Sequence, residues 1–318
     1  MRVRFWGTRG SIPVSLSRAA IGDKIVAALV AAAGHGLDTP EKARAFADHE
    51  LDFAVASTFG GNTSCVELVT GRDEYVLCDL GSGARVFGNH VLATRGPTGH
   101  TFHAFMSHVH WDHIMGFPFF MPAYIPGNRI RIYGGHASLE EAFRRQNGAP
   151  SFPVDFSRLG ADIEFTRLET GRDYELAGLT VRIKRQLHSG DSYGYRFEQD
   201  GKAVVYSTDS EHKRDEPGET DTFVDFFRAA DLVIFDAMYS LAEAISIKED
   251  WGHSSNVMGV ELCQLAGVKH LCMFHHEPVH DDARLAAILR ETRRLEEITR
   301  TGPRLEISSA YDGMEIAV

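Results

Sequence analysis

The segment His108-Val109-His110-Trp111-Asp112-His113 places three imidazoles and a carboxylate within six positions, directly after the apolar run Thr101-Phe102-His103-Ala104-Phe105-Met106. A short apolar run reads as a buried strand. A strand sends alternate side chains to one face, so His108 and His110 can address one ion together. The chain then turns, and Asp112 and His113 can reach a second ion or another side of the first. Imidazole nitrogens and carboxylate oxygens suit zinc, manganese or iron. A structural zinc site would use thiolates in paired short spacings. The four cysteines, Cys65, Cys78, Cys263 and Cys272, are scattered through apolar contexts without such a spacing or a disulfide spacing. A reduced, cytoplasmic protein is therefore expected.

With 318 residues and 43% hydrophobic content, the chain can bury a large core. Lys and Arg total 33 against 44 Asp and Glu, a formal net charge of -11. That balance disfavours a broad nucleic-acid surface, where basic residues supply most of the attraction. It is compatible with a small anionic substrate, because bound dications locally override an acidic envelope. No segment approaches the roughly 20 apolar residues of a membrane helix; Ile25 to Ala33 is short and alanine-rich. No membrane partner is expected. Met1-Arg2-Val3-Arg4-Phe5-Trp6 reads as a first strand rather than a signal peptide.

Strands are expected at 2–6, 64–69, 75–80, 101–107 and 129–133, with a helix at 138–146. They recur at 164–168, 179–186, 193–198, 203–207, 232–235 and 271–274, with helices near 223–229, from Ser254 or Ser255 to Leu265, and a long closing helix at 281–298. Between the first two strands, residues 15–56 form an alanine-rich helical insertion. Its first helix has periodic positions at Ile21, Ile25, Ala28, Leu29 and Ala32 and breaks at Gly34-His35-Gly36. A second is capped by Asp38 or Thr39, with Pro40 in its first turn. No linker divides the chain, so residues 1–318 are expected to form one α/β domain carrying that insertion.

His188, Asp209 and His275 follow directly on the runs ending at Leu187, Thr208 and Phe274, where open sheets place functional groups. Together with the 108–113 cluster they predict one shared site. Here the chain resembles the metallo-β-lactamase fold superfamily, close to the hydrolytic RNase Z-like and cyclic-nucleotide phosphodiesterase-like branch. The resemblance implies an αββα four-layer sandwich, two mixed β-sheets with helices on their outer faces. It implies two divalent ions, zinc first and manganese or iron as alternatives. His108, His110 and His188 would hold one, Asp112, His113 and His275 the other, and Asp209 would bridge both. Asp112 would also orient a metal-bound hydroxide. A glutamate in place of His110 would have indicated a redox di-iron relative.

Phe235-Asp236-Ala237-Met238 and Gly252-His253-Ser254-Ser255 resemble, in order, the acid and histidine motifs of RNase Z-like enzymes, although the family's acid is usually glutamate. The resemblance assigns Asp236 and His253 to catalysis: the carboxylate would fix the imidazole's tautomer and raise its basicity. His253 would then assist the leaving group after in-line attack by a metal-bridging hydroxide. The Phe5–Pro13 and Gly60–Ser64 segments also resemble the phosphodiesterase subgroup. Ser189, Gly190 and His276 are expected to bind substrate. The expected function is hydrolysis of cyclic nucleotides or related small phosphodiesters. The alternatives are a tRNA 3′-processing endonuclease, for which the insertion is too acidic to act as a basic clamp, and a non-catalytic nucleotide or metabolite sensor. The insertion's apolar face has to be buried somewhere: over the site, against a second copy in a homodimer, or on the domain's own surface.

Overall fold

The computed structural model describes residues 1–212, 218–239 and 252–318. Two seven-stranded sheets face each other. The first contains β1 (Arg2–Gly7), β2 (Cys65–Val69), β3 (Tyr75–Cys78), β4 (Thr101–Met106), β5 (Arg129–Gly134), β6 (Asp162–Arg167) and β14 (Glu315–Ala317), in the order β14-β1-β2-β3-β4-β5-β6. The second contains β7 (Asp173–Leu176), β8 (Leu179–Gln186), β9 (Ser192–Gln199), β10 (Lys202–Ser207), β11 (Leu232–Asp236), β12 (His270–Phe274) and β13 (Glu306–Ser309), in the order β13-β12-β11-β10-β9-β8-β7. Each sheet joins antiparallel pairs on one side to parallel pairs on the other.

The inner faces meet in one core, where Val3, Phe5, Val66 and Phe105 of the first sheet pack with Val181, Phe197, Tyr206 and Phe274 of the second. Phe105 lies against Tyr133, Tyr195 and Phe197 at ring separations of 4.8–5.6 Å; truncating such a ring costs about 3–5 kcal/mol. Helices α4 (Gly83–Arg95) and α6 (Leu139–Gln146) cover the outer face of the first sheet. Helices α7 (Glu219–Phe227), α8 (Asn256–Ala266) and α9 (Asp282–Thr299) cover that of the second. This is the expected αββα sandwich of mixed sheets.

Several boundaries differ from the sequence reading. Helix α4 follows immediately on Asp79-Leu80-Gly81-Ser82-Gly83, where glycines obscured its start, although Ala84, Phe87, Gly88 and Val91 are buried at helical spacing. Strand β7 is a four-residue edge strand. The closing helix is not the last element, because β13 and β14 follow it and β14 returns to pair with β1. In the insertion, α1 (Arg18–Ala31), α2 (Pro40–His49) and α3 (Phe53–Ala56) form, and the Thr39 side chain caps α2 by accepting from the Lys42 N–H. Helix α1 contains no buried residue. Its aliphatic face is therefore not packed on the domain's own surface. Among the described residues, no helix is long and apolar enough to cross a membrane.

Candidate metal centre

The parallel registers align the carboxyl ends of β3 and β4 in one sheet and of β10, β11 and β12 in the other. Strand β8 runs the same way as β10, since both are antiparallel to β9. Asp79, the 107–113 loop, His188, Asp209, Asp236 and His275 consequently emerge at one rim. Three of them, Asp79, Asp209 and His275, leave their strands with φ of +59°, +45° and +60°. Left-handed backbone at non-glycine residues costs about 1–3 kcal/mol each and persists where surrounding structure enforces it.

Four overlapping donor groups lie at the rim among the described residues. Two that share no residue are His108 with His110 and His188, and Asp112 with His113, Asp209 and His275; the other two include His253. In the first, His110 Nδ1 lies 3.2 Å from His188 Nε2. His188 donates from Nδ1 to the Gly252 carbonyl at 2.8 Å, so its Nε2 offers a lone pair. A Cβ on Gly252 would come within 2.5 Å of that Nδ1, and its φ is +81°. Only glycine lets this carbonyl approach so closely. His108 Nε2 is buried without a hydrogen-bond partner among the described residues.

In the second group, His113 Nε2 and His275 Nε2 are 3.3 Å apart. Each is 3.2 Å from Asp112 Oδ2 and 3.2 Å from Asp209 Oδ1. The other oxygen, Asp209 Oδ2, lies 3.6 Å from both His108 Nε2 and His188 Nε2, so the carboxylate spans both groups. Ser11 donates its backbone N–H to Asp112 Oδ2 at 2.8 Å, and Gly10 fits under His275, where a Cβ would lie 2.5 Å from Cε1. Without a cation, burial alone would lower the pKa of His113, but Asp112, Asp209 and Asp79 outweigh it and raise it well above the ordinary imidazole value. Burial likewise opposes ionisation of Asp112, yet His113 holds its pKa well below the usual carboxylate range. The cluster thus requires a positive charge at its centre, which a proton or a metal ion can provide. Unpartnered imidazole nitrogen, converging lone pairs and a carboxylate shared between groups fit divalent cations.

Beside them, His253 Nδ1 is 2.8 Å from Asp236 Oδ2. Asp236 also accepts from the backbone N–H groups of Ser210 at 3.3 Å and Met238 at 3.1 Å. Burial works to lower the His253 pKa, but Asp236 overrides it and carries it to about 9. The His253 ring stacks on His275 with centroids 5.1 Å apart. The shorter acid of the motif therefore still reaches its histidine.

The remaining expected residues are placed differently. Ser189 and Gly190 lie on an exposed turn after β8, and the Gly190 carbonyl accepts from His136 Nε2 at 3.1 Å. His276 is 2% exposed, and its Nε2 donates to the Ala310 carbonyl at 2.8 Å. Burial lowers its pKa to about 3, so it is a neutral residue joining two loops.

Sequence reading missed Asp79. Its Oδ2 is 2.7 Å from His113 Nδ1, and it accepts from Ser107 N, Ser107 Oγ and Tyr206 Oη, each at 2.7 Å. By accepting a hydrogen bond from Nδ1–H it directs the His113 Nε2 lone pair into the cluster. It stands one step beyond β3, as His275 stands beyond β12, but the strand expected at 75–80 runs past it. Arg9 was missed as well. It is buried, and donates to the carbonyls of Gly60, Glu277 and His280 at 2.8–3.2 Å, tying the Ser11 loop to the loop after His275.

Among solved structures, the metallo-beta-lactamase fold protein YhfI from Bacillus subtilis superposes with a TM-score of 0.64 at 17% identity, covering 99% of this chain and 98% of that one. Human tRNase Z, short form, gives 0.60 at 19% identity, with 100% and 99% covered. Yeast PDE1 gives 0.58 at 16% identity, with 80% and 94% covered. At these identities the likeness concerns the fold. No curated protein matches the sequence. The family described as Beta-lactamase superfamily domain matches residues 76–276, a stretch that holds His108, Asp209 and His275 and most of both sheets; the chain belongs to this family and has the metallo-β-lactamase fold.

Proposed function

We propose that this chain is a dinuclear metal-dependent phosphodiesterase acting on cyclic nucleotides or related small phosphodiesters. The observation carrying this reading is the pair of donor groups spanned by Asp209 with the Asp236–His253 pair beside them. His108, His110 and His188 would hold one ion and Asp112, His113 and His275 the other. When bound, such a pair supplies a water-derived nucleophile at neutral pH and neutralises phosphodiester charge. Asp112, held by the Ser11 N–H, keeps an acceptor oxygen at the centre. His253 gives Nδ1 to Asp236, which leaves Nε2 as the atom facing a leaving group; the charged ring can stabilise a phosphoryl oxygen or protonate a departing alkoxide there.

The fold likeness to tRNase Z and to PDE1 supports a phosphodiester substrate by analogy. The net charge of -11 favours a small substrate over folded RNA. Zinc is the first choice of metal, with manganese or iron also compatible with the donors. The test is turnover by metal-loaded protein of bis(p-nitrophenyl) phosphate, 3′,5′- and 2′,3′-cyclic nucleotides, cyclic ribose phosphates and precursor tRNA. Small diesters should be cleaved, and chelation should abolish the reaction. His253→Ala should retain its metal and lose about 10²–10⁴-fold in rate. Preference for precursor tRNA would establish the RNA-processing alternative, and binding without cleavage would establish a sensor.

A further inference from the structure

Helix α1 turns Lys24 inward, while Arg18 and Asp23 are exposed. Lys24 Nζ lies 2.7 Å from Asp282 Oδ2, a carboxylate that is 4% exposed, and donates to the carbonyls of Ala54 and Ser57. Ala20, Lys24 and Ala28, spaced four apart, are half-buried and form the row on which the helix rests. The opposite side carries Ile21, Ile25, Val26, Leu29 and Val30, which are 46–72% exposed. At 100° per residue these five span about half the helix circumference. Gly22 lies among them, and a Cβ there would meet nothing within 4 Å.

An ordinary surface helix shows the reverse arrangement, charges outward and aliphatics inward. From the exposures, the five side chains leave on the order of 500 Å² of contiguous aliphatic surface, at the upper end of what monomers show. We propose that this face is a homodimer interface, with α1 of a second copy of this chain laid against it about a two-fold axis. Apart from Arg18 at its N-terminal end, this face is aliphatic, and an aliphatic surface is complementary to itself, as a two-fold contact requires. Two such faces would bury roughly 1,000 Å², the lower bound of a specific interface. A helix of this length, about 21 Å, matches that area. A lipid surface is the poorer occupant: α1 has no aromatic residue, its basic residues are Arg18 and the inward-turned Lys24, and the chain carries a net charge of -11. Interfacial helices use aromatic anchors and basic flanks.

Val26 is near the middle of the helix, where two copies would meet at the axis, and its exposure lets a charged side chain be placed there without disturbing the fold. The 318-residue chain should sediment at twice its 35.2 kDa. Val26→Asp and Val26→Lys should each sediment as monomers with unchanged circular dichroism, and an equimolar mixture of the two should recover the dimer. A monomeric wild type would overturn the proposal, as would a dimer indifferent to both substitutions. Co-sedimentation of a monomeric wild type with phosphatidylcholine–phosphatidylserine vesicles, lost in Val26→Asp, would assign the face to lipid instead.

Discussion

His108, His110 and His188 present three imidazoles to one point, with His110 reaching the surface, whereas Asp112, His113, Asp209 and His275 are all buried and include two carboxylates. In the first group burial lowers the pKa of every histidine, so each offers a lone pair at neutral pH. In the second, His113 keeps a proton among carboxylates until something replaces it. On the dinuclear reading proposed above, one group at the rim would be ready for a cation and the other would exchange a proton for it. The first is open at His110 and made of imidazoles that share Asp209, the second closed and rich in carboxylates.

Asp209 is the only proposed ligand that faces both groups among the described residues, and its loss should be the most damaging single change. Asp209→Ala is expected to retain neither ion and to fall below detectable turnover. It also leaves four imidazoles, of His108, His113, His188 and His275, without their shared acceptor. His110→Ala should lose the open position alone and keep one ion per chain. Metal counting by plasma mass spectrometry after gel filtration checks both. An Asp209→Ala protein that still carries two ions would show that the groups are independent and break the comparison at its centre.

How much of this was legible beforehand depends on how the chain supplies each ligand. The cluster from His108 to His113 lies on one loop after one strand, so local spacing announces it. His188, Asp209 and His275 come from three separate strands, and what marked them was position just beyond an apolar run. Asp79 lies within the strand expected at 75–80, and nothing in sequence ties it to His113, 34 positions away. Strand and helix patterns indicated an α/β architecture, and the family resemblance implied the αββα layering. The return of β14 to β1 did not, since pairing between the two chain ends leaves no local trace. In α1 the aliphatic periodicity was visible, but which side faced inward was decided by Lys24 and Asp282, a contact between distant positions.

The support for the closed position can be weakened without touching a ligand. Asp79→Asn keeps the size of the side chain but allows its amide to face His113 Nδ1 as a donor. That would reverse the tautomer and point an N–H at the cation site. The expected result is about 10–100-fold weaker affinity at the closed position, with the open position unaffected. Competition against a chromogenic chelator, resolved into two steps, reads the two sites separately. Equal weakening of both steps would mean that Asp79 acts through the general packing of the rim, where it also holds Ser107 and Tyr206.

The smallest expected effect, and the sharpest test of the contrast, is in pH dependence. A histidine whose pKa in the metal-free fold is raised above its ordinary 6.5 stays protonated at neutral pH. Metal binding must then displace that proton, so affinity falls as pH drops through and below the raised pKa, by about tenfold per pH unit for one proton per ion. A histidine whose pKa is lowered below 6.5 is already neutral there, and its site has no proton to release. Between pH 6.5 and 8 the closed position should therefore show a sloping affinity and the open one a flat affinity. Calorimetric titration in two buffers of different ionisation enthalpy should detect proton release in one step only. Release of the same number of protons in both steps would mean that Asp112 and Asp209 do not hold His113 in its charged form, and the difference drawn between the two positions would reduce to exposure.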